Sequence, residues 1–163
     1  MSCTLIDNGM PCVVMKAVDV GITGYEDRAN LDGNSDLKIR IEAIRLAAGQ
    51  RMNLGDVSKK TVPKLMLVAP PRNGGAVTVR SFIPHRAHAS VGVLGAVSVA
   101  TACLIEGSPA AKVANIPDGQ IKTLSVEHPT GELTCMLKTD AEGNVVSSAL
   151  LRTARKLMDG TIF

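Results

Sequence analysis

The sequence predicts an α+β domain with a curved, barrel-like β-sheet. Three observations support this fold class: strand-like segments outnumber helical ones, two segments have helical character, and short turns containing Gly or Pro separate the elements. With 45% hydrophobic residues, the chain can fill one core, so we expect a single domain over residues 1–163. Aromatic residues are nearly absent, with only Tyr25, Phe82 and Phe163. The core must therefore be built from aliphatic side chains.

The chain begins with two predicted strands. Residues 4–6 and 12–16 have strand character and flank an Asn-Gly turn, which is a strong hairpin signal. Pro11 limits hydrogen bonding at the start of the second strand. Residues 19–25 then predict a loop or a short helical turn, because two glycines interrupt them.

The next segment predicts a helix. Ser35 is the expected N-cap, Asp36 lies in the first turn where the helix dipole favours an anion, and Gly49 is the expected end. The apolar residues that recur at helical spacing are Leu37, Ile41, Ile44 and Ala48.

The rest of the chain predicts a hairpin, a long helix and three further strands. Residues 63–69 form an apolar run typical of a buried strand, and they predict a hairpin together with residues 76–82. Pro84 ends the second of these strands, and a helix is expected over about residues 90–106. The remaining strand-like segments are residues 121–127, 132–138 and 145–151, followed by a last segment at residues 154–158.

Charge and cysteine content argue against several classes of function. The net charge of +3 is too small to indicate a nucleic-acid partner, and stacking platforms for bases are missing. The uncharged stretch at residues 89–105 contains Ser, Gly and Thr, which favours a buried helix over a membrane anchor. We expect no metal and no cofactor. The cysteines form no CxxC pair and predict four buried, reduced thiols in a cytoplasmic protein: Cys3, Cys12, Cys103 and Cys135.

The segment from Arg80 to Gly92 is the strongest candidate for a binding site. A strand ends, a proline turns the chain, and a helix begins near Ser90, where unpaired N–H groups and the helix dipole favour an anion. Arg80 and Arg86 can add charged hydrogen bonds to a carboxylate. The alternative is a buried helix packed through small residues, with the Arg side chains in solvent. The expected binding residues are Arg80, His85, Arg86, Ser90, Val91 and Gly92.

The turn before the second strand is a second candidate. Asn8, Gly9 and Met10 can aim backbone amides and one side-chain amide into a cleft, although the local pattern favours a simple hairpin turn. His128 is expected to be an exposed loop residue, and no Lys lies in an apolar pocket pattern. For proton transfer the chain offers at most His85 or His88, neither with an evident orienting partner, so we assign no catalytic residue.

Distinctive strings run through the whole chain. They include Asn8-Gly-Met-Pro, Asp19-Val-Gly-Ile-Thr-Gly-Tyr-Glu, Pro71-Arg-Asn-Gly-Gly, Arg80-Ser-Phe-Ile-Pro-His-Arg-Ala-His-Ala-Ser and Glu127-His-Pro-Thr-Gly-Glu. Together they resemble the second domain of the 2-methylaconitate isomerase and 4-oxalomesaconate tautomerase family, and they are most similar to the tautomerase branch.

The resemblance implies a diaminopimelate epimerase-like fold, in which a curved, barrel-like mixed β-sheet wraps around a central helix. Two such domains face each other across the active site in that family, and this chain resembles the C-terminal one. The helix from Ser90 is then the central helix, and Ser90 takes the place of a catalytic Cys. Asn8 is a candidate for a polar group that the family's Gly-Asn-Pro supplies, because this chain has Gly9-Met10-Pro11 there.

The resemblance also implies a function. It indicates a cofactor-independent isomerase or tautomerase that shifts a proton on a small di- or tricarboxylate, such as 4-oxalomesaconate or 2-methylaconitate. The proton-moving Lys and Cys are expected in the N-terminal domain, which would be this chain's partner, and this chain is expected to bind the substrate. Self-association through an exposed cleft face is a further expectation, and no nucleic-acid or membrane partner is expected. The rival is a non-catalytic carboxylate-binding or interaction module, or a partner of a separately encoded N-terminal half.

Overall fold

The structure, a computed structural model, describes residues 1–161, so Phe163 lies outside the described residues. One sheet contains the strands in chain order: β1 (Cys3–Asp7), β2 (Pro11–Lys16), β3 (Lys64–Ala69), β4 (Val77–Phe82), β5 (Ile121–His128), β6 (Gly131–Thr139) and β7 (Val145–Leu150). The helices are α1 (Arg28–Gly33), α2 (Ser35–Arg51) and α3 (Val93–Ala102), and a 3-10 helix covers Ala17–Val20. The predicted α+β class and the predicted β3–β4 hairpin are confirmed.

The sheet is mixed because two of its connections are crossovers. Strands β2 and β3 pair in parallel, as do β4 and β5, and all other neighbours pair antiparallel. A parallel pair needs a connection that returns the chain to the same end of the sheet, usually through a helix. Here α1 and α2 lie in the first crossover and α3 lies in the second.

The middle strands are buried on both faces. On one face, here called the inner face, Val14, Met66 and Val79 pack in the same cluster as α3. On the other, the outer face, Val13, Leu65 and Phe82 pack with residues of α1 and α2. Burial on both faces explains why residues 63–69 are a continuous apolar run instead of an alternating pattern.

Helix α3 is the central helix that the resemblance implied. Ala96, Val99 and Ala100 on it are fully buried in the inner core. The helix contacts β1 and β7, which are the two edges of the sheet, as well as strands between them. A sheet whose two edges touch the same helix must curve around it, and the predicted curved sheet is confirmed.

Helix α3 is shorter than the predicted helix over residues 90–106. The backbone N–H of His88 donates to the carbonyl of Ser81 at 2.8 Å, which extends the pairing with β4 beyond the turn. The chain is therefore still extended at Gly92, and the helix begins only at Val93.

The boundaries of α2 also differ from the prediction. The N-cap is Asn34, whose side-chain oxygen accepts from the N–H of Leu37 at 2.9 Å, and Ser35 is already helical. Gly49 does not end the helix, which continues to Arg51. A Cβ at Gly49 would lie 2.5 Å from Val57 Cγ2, so close packing explains this glycine. Helix α1 was not predicted.

One smaller expectation also fails. Cys3 is exposed on edge strand β1, whereas the other three cysteines are buried as predicted, and all four are free. The segment at residues 154–158 forms neither helix nor strand, and residues 151–161 are exposed. Within residues 1–161 there is no helix long and apolar enough to cross a membrane, and no cluster of metal-ligating side chains.

Arg45 on α2 holds the connection between α2 and β3. Its side chain is fully buried, and its Nε and Nη2 donate to the Glu42 carboxylate at 2.7 and 2.8 Å. Its Nη1 donates to the carbonyl oxygens of Val57, Lys60 and Val62 at 2.9, 3.2 and 2.7 Å. One side chain therefore satisfies three backbone acceptors of a connection that has little regular structure.

We expect Arg45→Met to lower the free energy of unfolding by about 2–4 kcal/mol, since three carbonyls lose their donor while the apolar stem is kept. Urea denaturation followed by circular dichroism measures this. Arg51→Met is the matched control, because Arg51 is exposed at the end of the same helix, and we expect about 0.5 kcal/mol or less. Equal stability of the two variants would contradict the role of Arg45.

Glu127 at the end of β5 holds the loop between β3 and β4. The residue is 4% exposed, and its carboxylate accepts from the N–H groups of Arg72, Asn73 and Gly75 and from the Thr78 hydroxyl, at 2.7–2.9 Å. Burial alone would raise the pKa of Glu127, but these four donors outweigh it and the pKa is lowered. The loop is thus organised around one ionised carboxylate.

The lowered pKa of Glu127 predicts how the stability of the fold changes with pH. The stabilisation from Glu127 is complete above the ordinary Glu pKa of about 4.3, and it is lost as the pH falls through the lower folded-state pKa. We therefore expect Glu127→Gln to be less stable than the wild type at pH 7, and the difference to shrink below about pH 4. Urea denaturation at several pH values tests this, with the exposed Glu142→Gln as control. A Glu127→Gln deficit that is constant down to pH 3 would contradict it.

Candidate functional site

A cavity of about 280 Å³ lies at the start of α3. Four elements meet there: the β1–β2 turn, the inner faces of β3 and β4, and the first turn of the helix. Its wall is almost wholly apolar. The lining residues are Met10, Lys64, Met66, Ser81, Ile83 and residues 92–95.

The first turn of α3 is open toward this cavity. Gly92 is the N-cap and supplies no side-chain hydrogen bond to the helix, so the first N–H groups keep their capacity to donate. A Cβ at Gly92 would meet no atom within 4 Å, so the missing side chain leaves free space here. The amide groups and the positive end of the helix dipole make this turn favourable for an anion.

Lys64 is the charged residue of the cavity wall, and the sequence analysis did not identify it. It is the first residue of β3 and pairs in register with Cys12 of β2, whose side chain lies in the inner core. Lys64 is half-buried, and burial lowers its pKa, with the Cys12 thiol acting weakly in the opposite direction. Within residues 1–161 its ammonium forms no ion pair and no hydrogen bond.

Ser81 and Arg80 lie on opposite faces of β4. Ser81 is 2% exposed, faces inward and lines the cavity. Arg80 belongs to the outer face, where its Nε donates to the carbonyl of Glu26 at 2.7 Å and its Nη1 donates to the carbonyl of Val79 at 3.0 Å. Burial lowers the pKa of Arg80, against the opposing charges of Glu26 and other groups. The structure therefore places Arg80, a predicted binding residue, away from the cavity.

His85 and Arg86 also lie outside the cavity. His85 is 61% exposed, and its Nδ1 is 3.7 Å from a Glu42 carboxylate oxygen on α2. Arg86 is exposed and lines a separate depression of about 250 Å³, together with Arg28 and His88. These two predicted binding residues are thus on the side of the molecule that carries α1 and α2.

Ser90 and Val91 border another depression, of about 330 Å³, which residues of β6 and of the segment after β7 also line. The N–H of Ser90 donates to His88 Nδ1 at 3.0 Å, which gives His88 an orienting contact that the sequence did not show. His128 lines the same depression. It ends β5 and is half-buried, with its pKa lowered by burial, so the prediction of an exposed loop residue is wrong.

The β1–β2 turn divides its residues between two sides of α3. Asn8 Nδ2 donates to Thr101 Oγ1 at 3.0 Å and lines a groove of about 520 Å³ between α3 and β7. Gly9 has φ +85°, which a glycine adopts without strain, and it packs on Leu94. Met10 faces the cavity at the start of α3. Of the predicted binding residues, Met10 and Gly92 therefore meet in one cavity, and the others lie outside it.

Comparisons with known proteins identify the family of the chain. The chain matches the family described as "PrpF protein" over residues 1–163. It is 77% identical over 160 residues to a "(4E)-oxalomesaconate Delta-isomerase" of Novosphingobium sp. (strain KA1), covering 98% of this chain and 45% of that protein. It is 57% identical over 159 residues to a "4-oxalomesaconate tautomerase" of Pseudomonas putida, covering 98% of this chain and 44% of that protein.

The fold has a solved counterpart. A crystal structure of methylitaconate-delta-isomerase superimposes with a TM-score of 0.84 at 22% identity, over 97% of this chain and 45% of that one. The likeness supports the diaminopimelate epimerase-like fold that the resemblance implied. The chain spans about half the length of the curated relatives it matches. Because the family match covers all its residues and two isomerases are 77% and 57% identical to it, the chain belongs to the PrpF family.

Proposed function

We propose that this chain is the substrate-binding half of a cofactor-independent isomerase or tautomerase, which shifts a proton on a small polycarboxylate such as 4-oxalomesaconate. The 77% identity to the Novosphingobium isomerase carries the proposal. The cavity at the start of α3 supports it, because it presents open helical N–H groups beside Met10 and Gly92, two residues expected to bind substrate.

The geometry suits the stabilisation of negative charge. Removing a proton next to a carboxylate or keto group leaves an enolate-like anion, and preorganised N–H donors stabilise such charge. Removing one such donor typically costs about 3–4 kcal/mol of transition-state stabilisation. The first turn of α3 is positioned to act in this way.

Proton transfer itself needs a positioned acid and base. No carboxylate, histidine or thiol lines the cavity at the start of α3. Under this proposal the Lys and Cys expected from the family come from the part of the relatives' length that this chain does not cover. Val93 and Leu94 are 40% and 41% exposed beside the cavity. They fit a face that the N-terminal domain of the relatives would cover.

Some expectations stay predictions. Substrate contacts of Arg86 and Ser90, homo-oligomerisation, and a choice between 4-oxalomesaconate and 2-methylaconitate rest on the resemblance. A cytoplasmic location is part of the proposal, and the three buried free thiols are consistent with a reducing compartment.

A domain exchange tests the proposed function. The matching 160 residues of the Novosphingobium isomerase are replaced by this chain, and isomerisation of 4-oxalomesaconate is followed by ultraviolet absorbance. We expect kcat/KM within about tenfold of the parent enzyme. A tenfold decrease corresponds to a loss of about 1.4 kcal/mol of transition-state stabilisation. A folded exchange protein without activity would favour the non-catalytic module instead.

Filling the cavity mouth should impair substrate binding. Gly92→Leu in the exchange protein places a side chain at the open first turn of α3, and the local φ of −69° tolerates it. We expect KM to rise at least tenfold with little change in thermal stability. Gly33→Leu is the matched control, because a Cβ at Gly33 in α1 also meets no atom within 4 Å. A normal KM for Gly92→Leu would place the substrate elsewhere.

A further inference from the structure

We propose that Lys64 and Ser81 together bind one carboxylate group of the substrate inside the cavity at the start of α3. This assignment rests on the proposed function and adds two residues to it that the sequence pattern did not identify. The two side chains reach the cavity from neighbouring strands, since Lys64 begins β3 and Ser81 is near the end of β4.

Lys64 is an unpaired charge in an apolar setting. The other side chains of the wall are aliphatic or thioether groups apart from Ser81, and no Asp or Glu within residues 1–161 forms an ion pair with the ammonium. Its half-buried position removes part of the solvation of the charged form and thereby lowers its pKa. A partly desolvated cation without a protein partner favours an anionic ligand.

Ser81 is a nearly buried hydroxyl without a partner. Only 2% of the residue is exposed, and the hydroxyl forms no hydrogen bond within residues 1–161. Its backbone is engaged, because its carbonyl accepts from His88, but its side chain is available to donate into the cavity. Unlike the hydroxyl of Ser98, which is buried and unpartnered inside the core, that of Ser81 is not closed off from the cavity and can donate to a ligand there.

The ligand chemistry follows from the whole wall. One ammonium and one hydroxyl can bind the two oxygens of a single carboxylate. The carbon surface of Met10, Met66 and Ile83 suits the hydrocarbon part of an unsaturated acid. The cavity therefore fits one arm of a polycarboxylate, attached to an apolar carbon chain.

The test is a titration of the ¹⁵N-labelled chain with cis-aconitate, a planar unsaturated tricarboxylate, followed by amide chemical shifts. We expect shifts in residues 92–95, and a dissociation constant at least tenfold higher for Lys64→Met and for Ser81→Ala. Lys59→Met removes the same charge at an exposed position and should leave binding unchanged. The trimethyl ester of cis-aconitate should not bind.

Thermal unfolding separates binding from structure. Ser81→Ala and Lys64→Met should be as stable as the wild type or slightly more stable, because neither removes an internal hydrogen bond or ion pair. Wild-type-like affinity in both variants would overturn the assignment, and so would the absence of any shifts in residues 92–95 of the wild type. The domain exchange is independent of this titration, so an active exchange protein with an unaltered KM for Lys64→Met refutes the Lys64–Ser81 site and leaves the proposed function intact.

Discussion

The close contact between α3 and β3 sets the geometry on which the rest of the site depends. A Cβ on Gly95 would lie 2.6 Å from Met66 Cε, so only glycine allows this separation between helix and strand unless Met66 moves. Met66 is two residues from Lys64 on the same face of β3. The contact that brings the helix onto the strand therefore also brings its first N–H groups near Lys64. A larger residue at 95 would displace the end of the Met66 side chain, which lines the cavity, and would so change the cavity.

The buried polar groups of this domain fall into two classes. Arg45, Arg80 and Glu127 are buried, and backbone groups satisfy each of them, which explains them as structural residues that hold connections. Ser81 is also buried and Lys64 is half-buried, but within residues 1–161 no protein group bonds either side chain. These three groups are paired and the two at the cavity are not, while Ser98 on α3 is a further buried hydroxyl without a hydrogen bond.

The sequence predicted much of the fold but did not show on which face of the sheet its charged residues lie. The strands and the central helix followed from local patterns and from the resemblance. The alternation of Val77, Val79 and Ser81 with Thr78 and Arg80 was visible too, but both faces of β4 are buried, so local pattern does not show which face meets the helix. Lys64 was missed because its position depends on the register with Cys12, a contact between residues far apart in sequence.

The two groups of donors at the cavity would contribute differently to catalysis. A carboxylate held by Lys64 and Ser81 carries the same charge before and during proton transfer, so that contact stabilises substrate and transition state alike and does not by itself accelerate the reaction. Its effect would be to position the carbon that loses the proton. The N–H groups of the first turn of α3 can instead act on charge that develops during the reaction. Lys64 should therefore govern KM, whereas the backbone at Gly92 and Val93 should govern kcat, even though both line one cavity.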